Sequence, residues 1–447
     1  MISELKARGA RWCTRRLFPL LAAAGLILIG MATTTLAEPK MLGTAAWSLP
    51  DDLWGTMVAA QRLVHLHPGG LYTQPTALIT FPGAAVVLAP LVALTDAAGL
   101  SLAHQSPGNG QPVVWLVAGP YTIAISAVAL LAADALAERM EASRVKRAFL
   151  AGAGALLLWS VAVEWGHPED AIAVGLLLFA ILGLSGGRHV RAGWLTGLAI
   201  AVQPLVLLAV PIMLATLQAR RLAGFLGRAA APAAALLGVA AAANWGATLH
   251  AVTSQPNWPA VDHPTPWTPL APHLAGGAVA GGPGRVVAVL LACAFALVVR
   301  RTLASTRTGD PWTLQTLRDL LWWTAAALAV RCAFEPVMVA FYLWPGLAVA
   351  LIASTWNWRA LITTSAMAVI VSFGAQSEWR SPWGWWGLMV SGLALTLLLA
   401  GLPARRGLRP GRRRSRAGPG ARPTPAPRMR GATAECRSTG PLHAAGQ

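Results

Sequence analysis

Charge is scarce in this chain. Only 12% of its 447 residues are Asp, Glu, Lys or Arg, and 17 are acidic. A soluble protein of this length carries about twice that fraction, so a large water-facing domain is excluded. Cysteine is scarce too, at four residues. Cys293 and Cys332 lie in apolar runs, and Cys13 and Cys436 lie in the basic ends. None is placed for a disulfide or a zinc site. No Walker sequence and no Gly-x-Gly-x-x-Gly fingerprint occurs. Energy for any reaction must then come from an activated lipid or an ion gradient.

What is abundant is apolar. Hydrophobic residues make up 55% of the chain, and the mean hydropathy is +0.56. Their runs are continuous rather than alternating, which points to spanning helices and away from a barrel. A helix needs about 20 apolar residues to cross the hydrocarbon core. The sequence predicts an all-α polytopic membrane protein with about twelve hydrophobic segments: 17–37, 76–100, 113–137, 148–163, 170–186, 192–217, 229–247, 285–300, 319–335, 337–355, 359–375 and 385–402. The first run follows basic residues and ends "TTTLAEP", like a signal peptide. Its length and the spans that follow favour an uncleaved anchor.

The net charge of +18 sits mainly at the two ends. Residues 404–447 hold 11 Arg against one Glu, a net +10, and residues 1–16 hold five basic residues against Glu4, a net +4. Basic flanks beside spans mark the cytoplasmic side. The expected layout is a basic cytoplasmic N-terminus (1–16), a transmembrane domain (17–403) and a disordered basic cytoplasmic tail (404–447). The expected location is the plasma or inner membrane, with the tail touching anionic lipid rather than nucleic acid. The connectors 138–147, 186–191, 218–228, 300–318 and 357–359 are basic and belong inside. Loops 38–75 and 248–284, together with 101–112, "EWGHPED" (164–170) and 377–385, belong outside. Strict alternation then fails for 76–100 and 192–217, which begin and end on one side. Both carry prolines, Pro82 and Pro90 in one, Pro204 and Pro211 in the other. Broken or re-entrant segments resolve this, and such breaks persist only against protein or a wet cavity.

The unusual polar residues fall on the outer side. Asp51 and Asp52 precede an amphipathic stretch (53–67) expected to lie flat at the interface, where Asp51 suits an N-cap. Either carboxylate could instead take a proton from a hydroxyl. The pair could also hold a divalent cation, but no third ligand is in view. In "EWGHPED", Glu169 or Asp170 can cap the next helix, which leaves Glu164 and His167 unexplained. Histidine can donate a hydrogen bond to a phosphate or shuttle a proton. Arg331 and Glu335, four apart, suit an intramembrane ion pair or a site. Tyr342, Trp344, Trp383 and Trp385 fit interfacial anchors.

Residues 166–215, beginning "GHPEDAIAVGLLLF" and including "AGWLTGLAIA" and an X-Pro break, resemble the glycosyltransferase 87 group of the GT-C superfamily. Residues 52–72, "DLWGTMVAAQRLVHLHPGGLY", resemble that group's first-loop pattern, and 331–351 its late Tyr- and Pro-containing helix. The resemblance implies a GT-C fold and transfer of a sugar, mannose by analogy, from a polyprenyl phosphate to a lipid or glycan acceptor. It implies no other cofactor. Asp52, then Asp51, would be the base. His167, Glu164, Glu169, Asp170, Arg331, Glu335, Tyr342 and Gln203 would bind substrate, with Arg331 and His167 facing the leaving phosphate. Two departures stand out. Gln203-Pro204 replaces the usual Lys-Pro, and Thr56 stands where a tyrosine often follows the first-loop Asp. Two other readings fit the residues: a secondary transporter or lipid flippase, and a non-catalytic membrane partner with a docking tail.

Overall fold

The computed structural model describes residues 12–36, 50–73, 77–100, 102, 112–305, 312–377 and 381–401. The extreme N-terminus, all of 37–49 and the tail 404–447 with Cys436 lie outside the described residues. The chain divides into two units, 1–402 and 403–447, and only the first is described further.

Its described residues form sixteen α-helices. In chain order these are α1 (Leu17–Leu36), α2 (Asp51–Val64), α3 (Pro82–Ala97), α4 (Pro112–Ser126), α5 (Val128–Arg139), α6 (Arg144–Trp159), α7 (Pro168–Ser185) and α8 (His189–Val202). They continue as α9 (Val210–Ala215), α10 (Ala219–Ala243), α11 (Trp245–Ser254), α12 (Gly282–Ser305), α13 (Leu314–Phe334), α14 (Trp344–Ala353), α15 (Trp358–Gly374) and α16 (Pro382–Gly401). Among the described residues six helical stretches are long and apolar enough to cross a membrane, and five shorter apolar helices accompany them. The chain is thus an α-helical membrane protein, although the count of twelve spans is not reached on that measure. Four helices start where a side chain supplies an acceptor: Ser143 caps α6, Asn244 caps α11, Thr313 caps α13 and Asn357 caps α15.

α7 is the enclosed centre. In its apolar window 78% of residues are buried, against 22% in α10 and in α12, which therefore lie at the periphery. α8 packs on α7 and on α10. Its contact with α10 is close because Gly193 and Gly197 leave room for the α10 backbone at Arg228 and for Pro232.

The proline expectations divide. At Pro204 the helix does break: α8 ends at Val202, and a 3-10 turn over Pro204–Ala209 leads into α9. Pro211 lies in the first turn of α9, where a missing N–H costs nothing, and breaks no helix. The 76–100 segment yields a 16-residue helix, α3, that starts at Pro82 and runs through Pro90 without a break. Both ends of α3 are tied to the α2 region. Tyr72 donates to the Thr80 carbonyl, and Asp96 accepts from Gln61 and pairs with His65.

Polar contacts define two ends of the bundle. At one end, Arg16 and Arg147 both grip Asp134, Arg15 pairs with Glu138, Lys146 donates to the Trp356 carbonyl and Arg318 to that of Gly401. This end gathers basic connectors with the described parts of both termini. α6 and its continuation run 21 residues, Arg144–Glu164, so the 164–170 turn stands about 30 Å away. At that second end, loop 255–281 folds over the mouth of the bundle. Its strand β1 (His263–Pro264) pairs antiparallel with β2 (Val337–Met338). Thr265 and Trp267 donate to the Glu335 and Ala333 carbonyls.

Candidate functional site

The 164–170 turn is shaped by three local features. α6 widens into one π-helical turn, Ser160–Glu164, a device common near functional sites. Gly166 then takes φ +68, and a Cβ there would lie 2.8 Å from Leu53 Cβ and 2.9 Å from Pro50. Only glycine meets both demands, and it brings α2 against the turn. Finally the His167 amide donates to the Val161 carbonyl at 2.7 Å. His167 then precedes Pro168, which opens α7 with no side-chain cap. Glu169 and Asp170 lie in the first turn, where their charge suits the helix N-terminus, but neither makes a side-chain capping hydrogen bond.

His167 joins two carboxylates. Its Nε2 is 2.9 Å from Asp52 Oδ2, and its Nδ1 is 2.6 Å from Glu169 Oε1. The ring stacks on Phe341 with centroids 3.8 Å apart. The His167 side chain is 12% exposed and Asp52 40%, so the histidine is covered and the aspartate is the open end of the chain of contacts. Burial pushes the Asp52 carboxyl up, but the hydrogen bond and charge of His167 outweigh it and hold the group below the ordinary carboxylate value. For His167, burial opposes the charged ring. The Glu169 charge and the Asp52 contacts overcome this and raise the imidazole well above its usual value.

A second layer surrounds this triad. Asp170 Oδ1 accepts from Gln203 Nε2 at 2.6 Å, and Thr80 donates to the Gln203 carbonyl oxygen at 3.1 Å. Gln203 can reach both because the helix ends beneath it, leaving it extended at φ −148. Glu169 Oε2 and Asp170 Oδ2 are buried with no partner among the described residues. Asp262, on the loop above, interacts with Asp52 and His167; burial and Asp52 push it up to about 6, against the pull of His167.

The Arg331–Glu335 ion pair forms at 3.7 Å, within a wider contact. α13 stops at Phe334, so Glu335 stands beyond the helix in extended backbone. Its main partner is Arg285, with Nε at 2.8 Å, while Arg331 Nε is 3.7 Å away. Arg285 also donates to Gln255. Arg331 lies over the Tyr342 ring at 3.7 Å, and its charge acts on Asp170. Its two terminal nitrogens make no hydrogen bond among the described residues.

The structure thus brings together Asp52, His167, Glu169, Asp170 and Gln203, with Arg331, Glu335 and Tyr342 beside them. Glu164 is not drawn in: it is half-buried and has no polar partner among the described residues. Asp51 opens α2 instead of capping it from outside, Pro50 holding the cap position, and its side chain lies outside the described residues. Trp344 and Trp385 are 3% and 0% exposed, so neither is an interfacial anchor, whereas Trp383 is exposed. Asp262, Arg285, Gln255 and Phe341 belong to the site and were missed. The polar outer loop held Asp262, and a span that opens on Arg285 was the sign of that residue. Among the described residues no group of three acidic, His or Cys side chains could hold a metal ion. No known family description and no characterised protein matches this chain.

Proposed function

We propose that this chain is a GT-C-like membrane glycosyltransferase that moves a sugar from a polyprenyl phosphate to a hydroxyl of a lipid or glycan acceptor. The observation that carries the reading is the half-exposed Asp52, kept ionised by a covered His167 that Glu169 holds from behind. A carboxylate at the open end of such a relay can accept a proton and pass no charge to lipid. The acceptor oxygen attacks the anomeric carbon as the bond from that carbon to the phosphate oxygen breaks. The bonding pair leaves with the polyprenyl phosphate, and the acceptor proton goes to Asp52. Arg331 offers the leaving phosphate, where charge-assisted bonds count most, terminal N–H donors that make no hydrogen bond among the described residues. Its cation is fixed by Tyr342 below it.

The reading puts the site on the non-cytoplasmic face of the plasma or inner membrane. The site end is opposite the end that holds Arg15, Arg16 and Gly401, and the basic end belongs in the cytoplasm. The test is sugar transfer by purified full-length protein in liposomes, with a short polyprenyl-phosphate mannose as donor and a membrane lipid extract as acceptor. A new glycosidic product that D52N abolishes supports the proposal. Lipid or ion counterflow with no new glycosidic bond would replace it with a transporter. Unchanged cellular function in D52N and H167Q would replace it with a non-catalytic partner.

A further inference from the structure

A cavity lies at the other end of the bundle and plays no part in that chemistry. About 820 Å³ in volume, it is a groove between the start of α8 and the start of α10. Arg188, Arg191, Arg220, Arg221 and Arg228 line it, with His189 and Trp194. No acidic residue lines it, and none of the five arginines makes an ion pair among the described residues. Arg228 donates only to the Gly224 carbonyl and Arg220 to Gln218. The Nδ1 of His189 is buried without a partner among the described residues. Two helices also begin here, and their N-terminal amides add to the positive potential.

Four of the five guanidinium groups are exposed and hydrated, but five around one hollow with no carboxylate among its lining residues make a positive potential that favours an anion. The apolar surface says which kind. Val190, Trp194 and Leu198 are four apart along α8 and are 56%, 47% and 46% exposed. They form one stripe that leaves the groove and runs toward the middle of the bundle. A phosphate in the groove would therefore have an acyl chain's path directly below it. Neither a free anion nor a nucleic acid explains that stripe.

We propose that this groove is a binding site for an anionic glycerophospholipid, its phosphate held by the α8 and α10 arginines and an acyl chain laid along Val190, Trp194 and Leu198. The site is separate from the Asp52–His167 centre and does not depend on what that centre does. By the charge distribution it faces the cytoplasmic leaflet, where anionic lipid is concentrated.

The test is native mass spectrometry of the full-length protein in detergent, titrated with phosphatidylglycerol, phosphatidylcholine or inorganic phosphate. Wild type should retain phosphatidylglycerol at least about tenfold better than phosphatidylcholine, and R188Q/R191Q/R221Q should weaken that retention about a hundredfold. W194A should weaken lipid retention without raising the effect of phosphate. All three arginines are exposed. If the triple variant fails to fold by thermal melting, the single R191Q should still weaken retention about fivefold. Equal retention of the two lipids would overturn the proposal. So would full retention by the arginine variants, or displacement of phosphatidylglycerol by millimolar phosphate.

Discussion

His167 and Asp52 are 115 positions apart in sequence and meet at 2.9 Å, Nε2 to Oδ2. Glu169 holds the opposite ring nitrogen, so the imidazole cannot turn away. If Asp52 is the base, D52N should lower sugar transfer by about 10²–10⁴-fold with little change in donor KM. H167Q keeps a hydrogen-bond donor near Asp52 but removes the charge, and should lower kcat by about 10-fold or more while shifting the pH profile. A structural role alone would leave that profile in place. Rates from single-turnover assays of both variants decide the matter.

The same contacts set the pH response of stability. His167 is raised in the folded protein above its ordinary value of 6.5. Its stabilisation is therefore complete below about pH 6.5 and is lost as pH rises through the folded value. Asp262 is also raised, from 3.8 to about 6. Between those values the folded state binds more protons, so stability again falls as pH rises. The melting temperature in detergent should thus decline from pH 5 to pH 8. D262N should flatten the part between pH 4 and 6, and H167Q the part above 6.5. A rising melting temperature across that range would contradict both assignments.

Gly166 links fold and site. At φ +68, any side chain is strained, and a methyl group would press on Leu53 and Pro50. G166A should cost about 1–3 kcal/mol and push α2 away from the turn. Loss of activity should then exceed what the stability change explains, because Asp52 and His167 would separate. Comparing the melting shift with the residual rate in one preparation checks this.

The site was partly legible for a physical reason. Ionisable side chains in apolar surroundings are expensive, so Asp52, His167, Glu169, Asp170 and Arg331 stand out in the sequence. Chain continuity through roughly antiparallel helices then brought them to one end. What stayed hidden depended on tertiary packing. Asp262 sits in an irregular loop with no period to place it, and Arg285 reads as an ordinary charge at the edge of a span. The spacing of Arg331 and Glu335 suggested the ion pair that forms at 3.7 Å, but nothing in the residues themselves marks Phe334 as the end of α13 or Arg285 as the nearer partner of Glu335. Trp385 looked interfacial by type, but burial depends on what covers it: His263 of the outer loop stacks on its ring at 3.8 Å. The Pro204 break was legible because proline both removes a donor and clashes within a helix.

Gln203 gives the last prediction. It stands where the resembled family places lysine, and its amide donates to Asp170 while accepting from Thr80. Asp170 Oδ2 remains buried and unpartnered. Q203L would leave Oδ1 unpaired as well, and should cost about 1–3 kcal/mol or more. Q203K would instead bring a cation to a buried carboxylate, so it should fold at least as stably as wild type. If donor phosphate passes near Arg331, the added charge should also lower donor KM. Melting temperatures of the two variants test the packing argument by themselves. A Q203K protein as unstable as Q203L would show that the pocket around Asp170 has no room for an ammonium group and that glutamine was chosen for its shape.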